Sequence, residues 1–112
     1  MTDIERLQQR LQAFADQRDW NQFHSPKNLA MALSVEVSEL LEHFQWLTTE
    51  QATTLVQTDS PERLAITEEL ADVLIYCFSL ADILECDVAE IILDKLSKSA
   101  QKYPAEEYRG RF

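Results

Sequence analysis

Apolar residues recur at helical spacing along most of the chain, and the breaks in that rhythm mark where helices start and stop. Ile4, Leu7, Leu11 and Phe14 form one stripe of a first helix. Thr2 and Glu5 open it with the spacing of a capping box, in which each side chain can satisfy a backbone N–H of the first turn. The aromatic stretch "RDWNQFH" (18–24) loses the period and reads as a connector. Ser25 then offers a cap and Pro26 a first helical position. The helix they open extends to about Trp46 through Leu29, Leu33, Val37, Leu40, Leu41 and Phe44. The segment 48–57 predicts a short helix or an ordered loop. Ser60-Pro61 repeats the same start for a third long helix, carrying Leu64, Leu70, Val73, Leu74, Cys77, Phe78 and Leu84. Asp87 and Glu90 have capping-box spacing for a fourth, which Pro104 stops near Tyr103. The polar tail from 105 onward is expected to wrap a neighbour or fray. Leu7, Leu11, Phe14, Leu33 and Leu74 read as core or as a seam between subunits.

The pattern therefore predicts an all-α bundle in a single domain, 1–112. Composition agrees: 46% hydrophobic residues, 1 Gly and 3 Pro leave little material for a sheet. A chain of this size buries only a modest core, so self-association is expected to complete the bundle. Cys77 and Cys86 have no zinc-type spacing, and Cys77 falls on an apolar stripe where a buried free thiol is the ordinary outcome. There is no signal-peptide pattern and no apolar run of the ~20 residues that a membrane span needs. A cytoplasmic protein without a membrane partner is expected.

Two places break the rule that apolar faces stay apolar. On the second helix Glu36 lies between Leu33 and Leu40 within the apolar arc, and Glu39 stands one turn beyond it. On the third helix Glu69 and Asp72 repeat the i, i+3 pair, with Tyr76 a further turn along. Glu42, Glu68 and Asp82 read instead as solvated acids. Two such pairs on facing helices would place four carboxylates in one cleft, and like charges that close cannot all stay ionised without a cation. Hard oxygen donors without Cys or His at matching positions point to Mg²⁺, with Mn²⁺ possible. A di-iron carboxylate bundle would need Glu-x-x-His on two helices, but Leu40 stands three residues before His43 and Asn21 three before His24.

Net charge sharpens the chemistry. At −10 the surface is unsuited to tracking nucleic-acid phosphates, so no nucleic-acid partner is expected. Any polyanionic ligand would need metal ions as intermediaries. Lys95, Lys98, Lys102, Arg109 and Arg111 supply half of the chain's 10 Lys and Arg within its last 18 residues. Some of these are ordinary complements to a helix C-terminus.

Glu36-x-x-Glu39 followed by Glu69-x-x-Asp72, together with "RDWNQFHSPKNLAMALSVEVSELLEHFQW", "EELADVLIY" and "KYPAEEYRGRF", resembles the MazG-like all-α nucleoside triphosphate pyrophosphohydrolases over nearly the whole chain. The likeness is to their dCTP pyrophosphatase branch. The resemblance implies a four-helix bundle built by two subunits and often paired again, so a homo-oligomer is expected, a tetramer before a dimer. It implies Mg²⁺-dependent hydrolysis of a dNTP to monophosphate and pyrophosphate, with dCTP or a modified cytosine dNTP as the substrate class and nucleotide-pool cleaning as the role. By the same resemblance Glu36, Glu39, Glu69 and Asp72 match the metal ligands, with Glu36 or Glu39 as proton acceptor. Trp20, Trp46 and Tyr76 match aromatic positions of the nucleotide pocket, and Lys95 a basic residue near the phosphates. His24, Lys27 and Asn28 are further candidates for substrate binding that could equally organise the start of the second helix. The chain departs from the branch with Ser99 where Asn is frequent, and with Leu11 where the eukaryotic members carry His. Two other readings compete: an acidic helical module that binds a partner without chemistry, and a pyrophosphohydrolase for a different nucleotide such as dUTP.

Overall fold

Each long helix starts where a side chain can accept the N–H groups left unpaired at its first turn, in a computed structural model that describes residues 1–111. Thr2 and Glu5 close the expected capping box of α1 (Asp3–Gln17), at 3.2 and 3.1 Å. A 3₁₀ turn, Trp20–Phe23, occupies the connector and is approached through Asp19 in the left-handed region, φ 52°. Ser25 caps α2 (Pro26–Glu42) and Ser60 caps α4 (Pro61–Ile83), each accepting an N–H at 3.1 Å with Pro in the first turn. Segment 48–57 resolves as a true helix, α3 (Thr49–Gln57), because Thr48 and Gln51 form a second complete capping box. The cap of α5 (Val88–Lys102) is half of the expected box: Asp87 accepts from the Glu90 N–H at 2.9 Å, and Glu90 does not reach back.

Two boundaries differ from the sequence reading. The second helix stops at Glu42 rather than near Trp46. There the N–H groups of His43, Phe44 and Leu47 bond three residues back, a tightening that turns the chain toward the cap at Thr48. The tail does not simply fray, since Ala105–Tyr108 forms a single-turn helix, α6. It is held by an edge-to-face contact of Tyr103 and Tyr108, whose ring centroids lie 5.2 Å apart. Among the described residues there is no strand, and no helix is long and apolar enough to cross a membrane.

The body forms around α4, against which α2, α1 and α3 all pack, α2 most extensively. Leu29 of α2 is the most deeply buried side chain at 1% exposure, and Phe78, Ala81 and Val88 make a second small core with Ile4, Leu11 and Cys86 against it. A Schellman motif ends α4: Glu85 N–H bonds Asp82 C=O and Cys86 N–H bonds Ala81 C=O, each at 3.1 Å, with Glu85 at φ 53°. The second core then fixes the first residue of α5. Beyond Val88, α5 leaves the body, and Ile91, Ile92, Leu93 and Leu96 are 45–66% exposed. Leu7, Phe14 and Leu74 are likewise about half exposed, so of the expected core-or-seam residues these three are not core in a single chain. Cys77 is a free, half-buried thiol rather than a buried one, as is Cys86. The radius of gyration, 17.2 Å, exceeds the about 13 Å expected of a compact chain this long.

Candidate functional site

The closest helix pair in the fold is also the pair that carries the acids. Glu36 rides on α2 and Glu69 and Asp72 on α4, and ligand-type oxygens of these three lie within 4.8 Å of one another. Glu39, one turn beyond Glu36, stands outside that group but close enough for its charge to act on Glu36 and Glu69. Glu36 and Glu69 are half-buried, and in each Oε2 is shielded from water without a hydrogen-bond partner. An orphaned carboxylate oxygen is costly unless something outside the chain completes it.

The electrostatics follow from this crowding. Loss of hydration pushes the Glu36 carboxyl up to about 7, with repulsion from Glu39, then Asp72 and Glu69, adding to the effect. Glu69 is raised for the same leading reason and by the charge of Glu39. No basic side chain offsets them: the one salt bridge among the described residues joins Arg6 to Asp3 at the start of α1. Three hard oxygen donors, two of them unpartnered, suit a divalent cation of the Mg²⁺ or Mn²⁺ type.

The cluster opens onto a cleft of about 250 Å³ walled by Glu36 and Asp72 together with Trp20, His24, Tyr76, Ser79 and residues of α1. Phe14 is part of that wall, its ring meeting Trp20 edge-on at 5.6 Å under the Arg18 guanidinium. Two cavities adjoin the cleft. The outer one, about 420 Å³, is lined by Trp20, Phe23, His24, Asn28, Leu29, Ala32 and Tyr76. The inner one, about 160 Å³, lies between α1 and α4 and is lined by Leu11, Gln12, Ala15, Asn21, His24, Ser79, Asp82 and Ile83. His24 touches all three spaces. Asn28 also ties the connector to α2, donating from Nδ2 to the Phe23 carbonyl at 3.1 Å.

Of the residues singled out in the sequence, Glu36, Asp72, Trp20, His24 and Tyr76 share one cleft, Glu69 joins them through the acid cluster, and Asn28 borders the adjoining space. Lys27 is exposed and lines none of these cavities. Trp46 lies past the end of α2, 86% exposed, and Lys95 sits on the outlying α5. Asp82 corrects an expectation. It is not a solvated acid like Glu42 and Glu68 but half-buried against α1, where its Oδ1 accepts from Gln8 Nε2 at 3.3 Å. No signal local to α4 could have found this, because the side chain is covered from α1. Leu11, expected as core or seam, packs against the second core and also helps wall both the cleft and the inner cavity.

A sequence model described as the MazG-like family matches residues 31–111. The chain belongs to the MazG-like family. Among curated relatives it is 43% identical to dCTP pyrophosphatase 1 of Bos taurus over 98% of this chain and 63% of that protein. It is 45% identical to dCTP pyrophosphatase 1 of Homo sapiens over 94% of this chain and 59% of that protein. The MazG-like chain thus spans about three-fifths of the length of these relatives. The crystal structure of a pyrophosphatase from Archaeoglobus fulgidus aligns with a TM-score of 0.83 and 39% identity, covering 93% of this chain and 94% of that one. All of the acid cluster falls within the stretch that the MazG-like model matches.

Proposed function

We propose that this chain is a metal-dependent nucleoside triphosphate pyrophosphohydrolase, using Mg²⁺ or Mn²⁺ to convert a dNTP, dCTP or a modified cytosine dNTP first, to monophosphate and pyrophosphate. The observation that carries the reading is the gathering of Glu36, Glu69 and Asp72 at the mouth of an aromatic cleft, with two carboxylate oxygens shielded and unpartnered. The dCTP pyrophosphatases and the archaeal pyrophosphatase it resembles support the reaction class.

Glu36, Glu69 and Asp72 would hold the ion, with Glu39 completing the set from the next turn. When bound, the ion supplies charge neutralisation of the triphosphate and Lewis acidity at the phosphoryl oxygens. The chain's own contribution is position and proton transfer. Water attacks the α-phosphorus, the α–β anhydride bond breaks, and pyrophosphate leaves. One of Glu36 and Glu39, the carboxylate less committed to the ion, takes the proton of the attacking water. Trp20 and Tyr76 wall the cleft beside the acids, offering ring faces and edges against which the nucleotide is oriented.

Self-association belongs to the same proposal. The far side of α4 (Leu64, Leu70, Leu74) and the stripe on α5 stay uncovered in one chain, a larger apolar surface than a stable monomer presents. A homotetramer would cover them. A panel of ribo- and deoxynucleoside triphosphates with Mg²⁺, read by pyrophosphate release, tests the activity. Sedimentation at micromolar concentration tests the assembly, where a 13.0 kDa species would refute it. Release of orthophosphate, or of nothing, would refute the reaction.

A further inference from the structure

We propose that Asp82 is a specificity-determining residue, accepting a hydrogen bond from the exocyclic amino group of a pyrimidine base lodged in the inner cavity between α1 and α4. The inference rests on the reading of the acid cluster as the phosphate end of a nucleotide site, and it says where the base goes and what reads it.

Size is the first argument. At about 160 Å³ the cavity is close to the roughly 150 Å³ space that a single benzene ring fills in a protein interior. It has room for one six-membered ring. Direction is the second. The cleft that holds Glu36 and Asp72 shares Leu11, His24 and Ser79 with the inner cavity, so the two spaces are continuous. Asp72 and Asp82 are ten residues apart on one helix, an axial distance of roughly 15 Å at ~1.5 Å per residue. A nucleotide whose phosphates lie beside the acids can therefore reach Asp82 by extending its base along α4 through the shared opening.

Chemistry is the third. Asp82 is half-buried, and its hydrogen-bond partner among the described residues is a neutral amide, Gln8, which engages Oδ1 at 3.3 Å. No cation compensates it: the described salt bridge lies elsewhere. Burial pushes its carboxyl up and the Gln8 bond opposes that shift. Asp82 lines the cavity and Gln8 engages its Oδ1, while no hydrogen bond among the described residues engages Oδ2, so the carboxylate retains acceptor capacity that matches a donor on the ligand. A cytosine-type ring presents an amino group at that edge. A uracil or thymine ring presents a carbonyl, which would set oxygen against oxygen and leave both unpaired, the kind of mismatch that polar sites reject strongly.

The test compares kcat/KM for dCTP and dUTP with Mg²⁺ in the wild type and in Asp82→Asn, whose amide keeps the shape and can donate to a carbonyl. The dCTP value should fall about 10- to 100-fold, the size of one charge-assisted hydrogen bond, while the dUTP value holds or rises. Gln8→Ala, which frees Asp82 without altering its charge, should lower the dCTP:dUTP ratio by less. Loss of both activities by one common factor, or an unchanged ratio with the fold intact by circular dichroism, would overturn the inference. Calorimetry with dCMP and dUMP reads the same preference without catalysis. Wild type should favour dCMP, and equal or absent binding of the two overturns the assignment of Asp82. Failure of the wild type to release pyrophosphate from any nucleotide, while still preferring dCMP, would overturn the proposed reaction and leave the base site supported.

Discussion

Neutralising Glu36 should stabilise the metal-free protein while removing its response to metal. In Glu36→Gln one charge leaves a group whose ligand oxygens lie within 4.8 Å. Two unit charges about 5 Å apart repel by about 1 kcal/mol in a water-like medium and about 3 kcal/mol at an effective dielectric constant near 20. Glu36 has two such neighbours, but the site opens to solvent, so about 1–2 kcal/mol is the reasonable total after screening. For a chain of this length that is a rise of about 4–8 °C in Tm. The effect carries a pH signature. The folded Glu36 carboxyl is raised from 4.5 to about 7. Between those values the folded state binds more protons than the unfolded one, so wild-type stability falls as pH rises through the window. The gain from Glu36→Gln should be full at pH 8.5 and largely gone at pH 5.5, where wild-type Glu36 is already protonated. Saturating Mg²⁺ should raise the wild-type Tm at pH 8.5, with about 2.7 kcal/mol available at a hundredfold excess over Kd, and do much less for the variant. Differential scanning fluorimetry of both proteins at both pH values, with and without Mg²⁺, makes the comparison. A metal-free variant that melts below wild type at pH 8.5, or one that gains as much from Mg²⁺, would return Glu36 to a structural role.

Other outcomes are sharp enough to check. Glu39→Gln should abolish pyrophosphate release with the metal-free fold at least as stable as wild type, and a fully active variant would remove Glu39 from the site. Trp46→Ala should raise KM more than it lowers kcat, since Trp46 contributes nothing to the core of a single chain at 86% exposure; unchanged kinetics would leave it a surface residue. Glu85→Gly should raise Tm by about 1 kcal/mol equivalent, because Glu85 holds the left-handed position of the Schellman motif at φ 53°, where a Cβ is strained. A lower Tm would mean that the Glu85 side chain makes a contribution larger than that strain.

The elements that local chemistry dictates were legible in the sequence. Ser25-Pro26 and Ser60-Pro61 mark the starts of α2 and α4 to the residue, and Thr2 with Glu5 marks the start of α1, because caps act over three residues and need no tertiary partner. The end of α2 was not legible. Phe44 keeps the apolar period, yet the chain must turn to reach the cap at Thr48, and that is a tertiary demand. The acid pairs were visible because charge inside an apolar arc is anomalous on one helix alone. Asp82 was invisible for the complementary reason. Its neighbours on α4 do not bury it; Gln8 and the rest of α1 do, some seventy residues away in sequence.

The uneven burial of α4 explains why the site looks half-built in one chain. Its apolar residues run right round the helix, a pattern that predicts burial on every side. One side receives α2 and α1, and with α2 come Glu36 and the cleft. The opposite side keeps Leu64, Leu70 and Leu74 exposed, and α5 departs with its own apolar stripe uncovered. Lys95 departs with it. Thus the fold that concentrates carboxylates between α2 and α4 carries away the cation that the family resemblance implied for the phosphates. No salt bridge among the described residues balances the cluster, and under the proposed function a divalent ion at Glu36, Glu69 and Asp72 and basic residues of a neighbouring copy would do so. The same exposed apolar faces that would seat that copy would then complete the chemistry, so assembly and activity should be lost together on dilution.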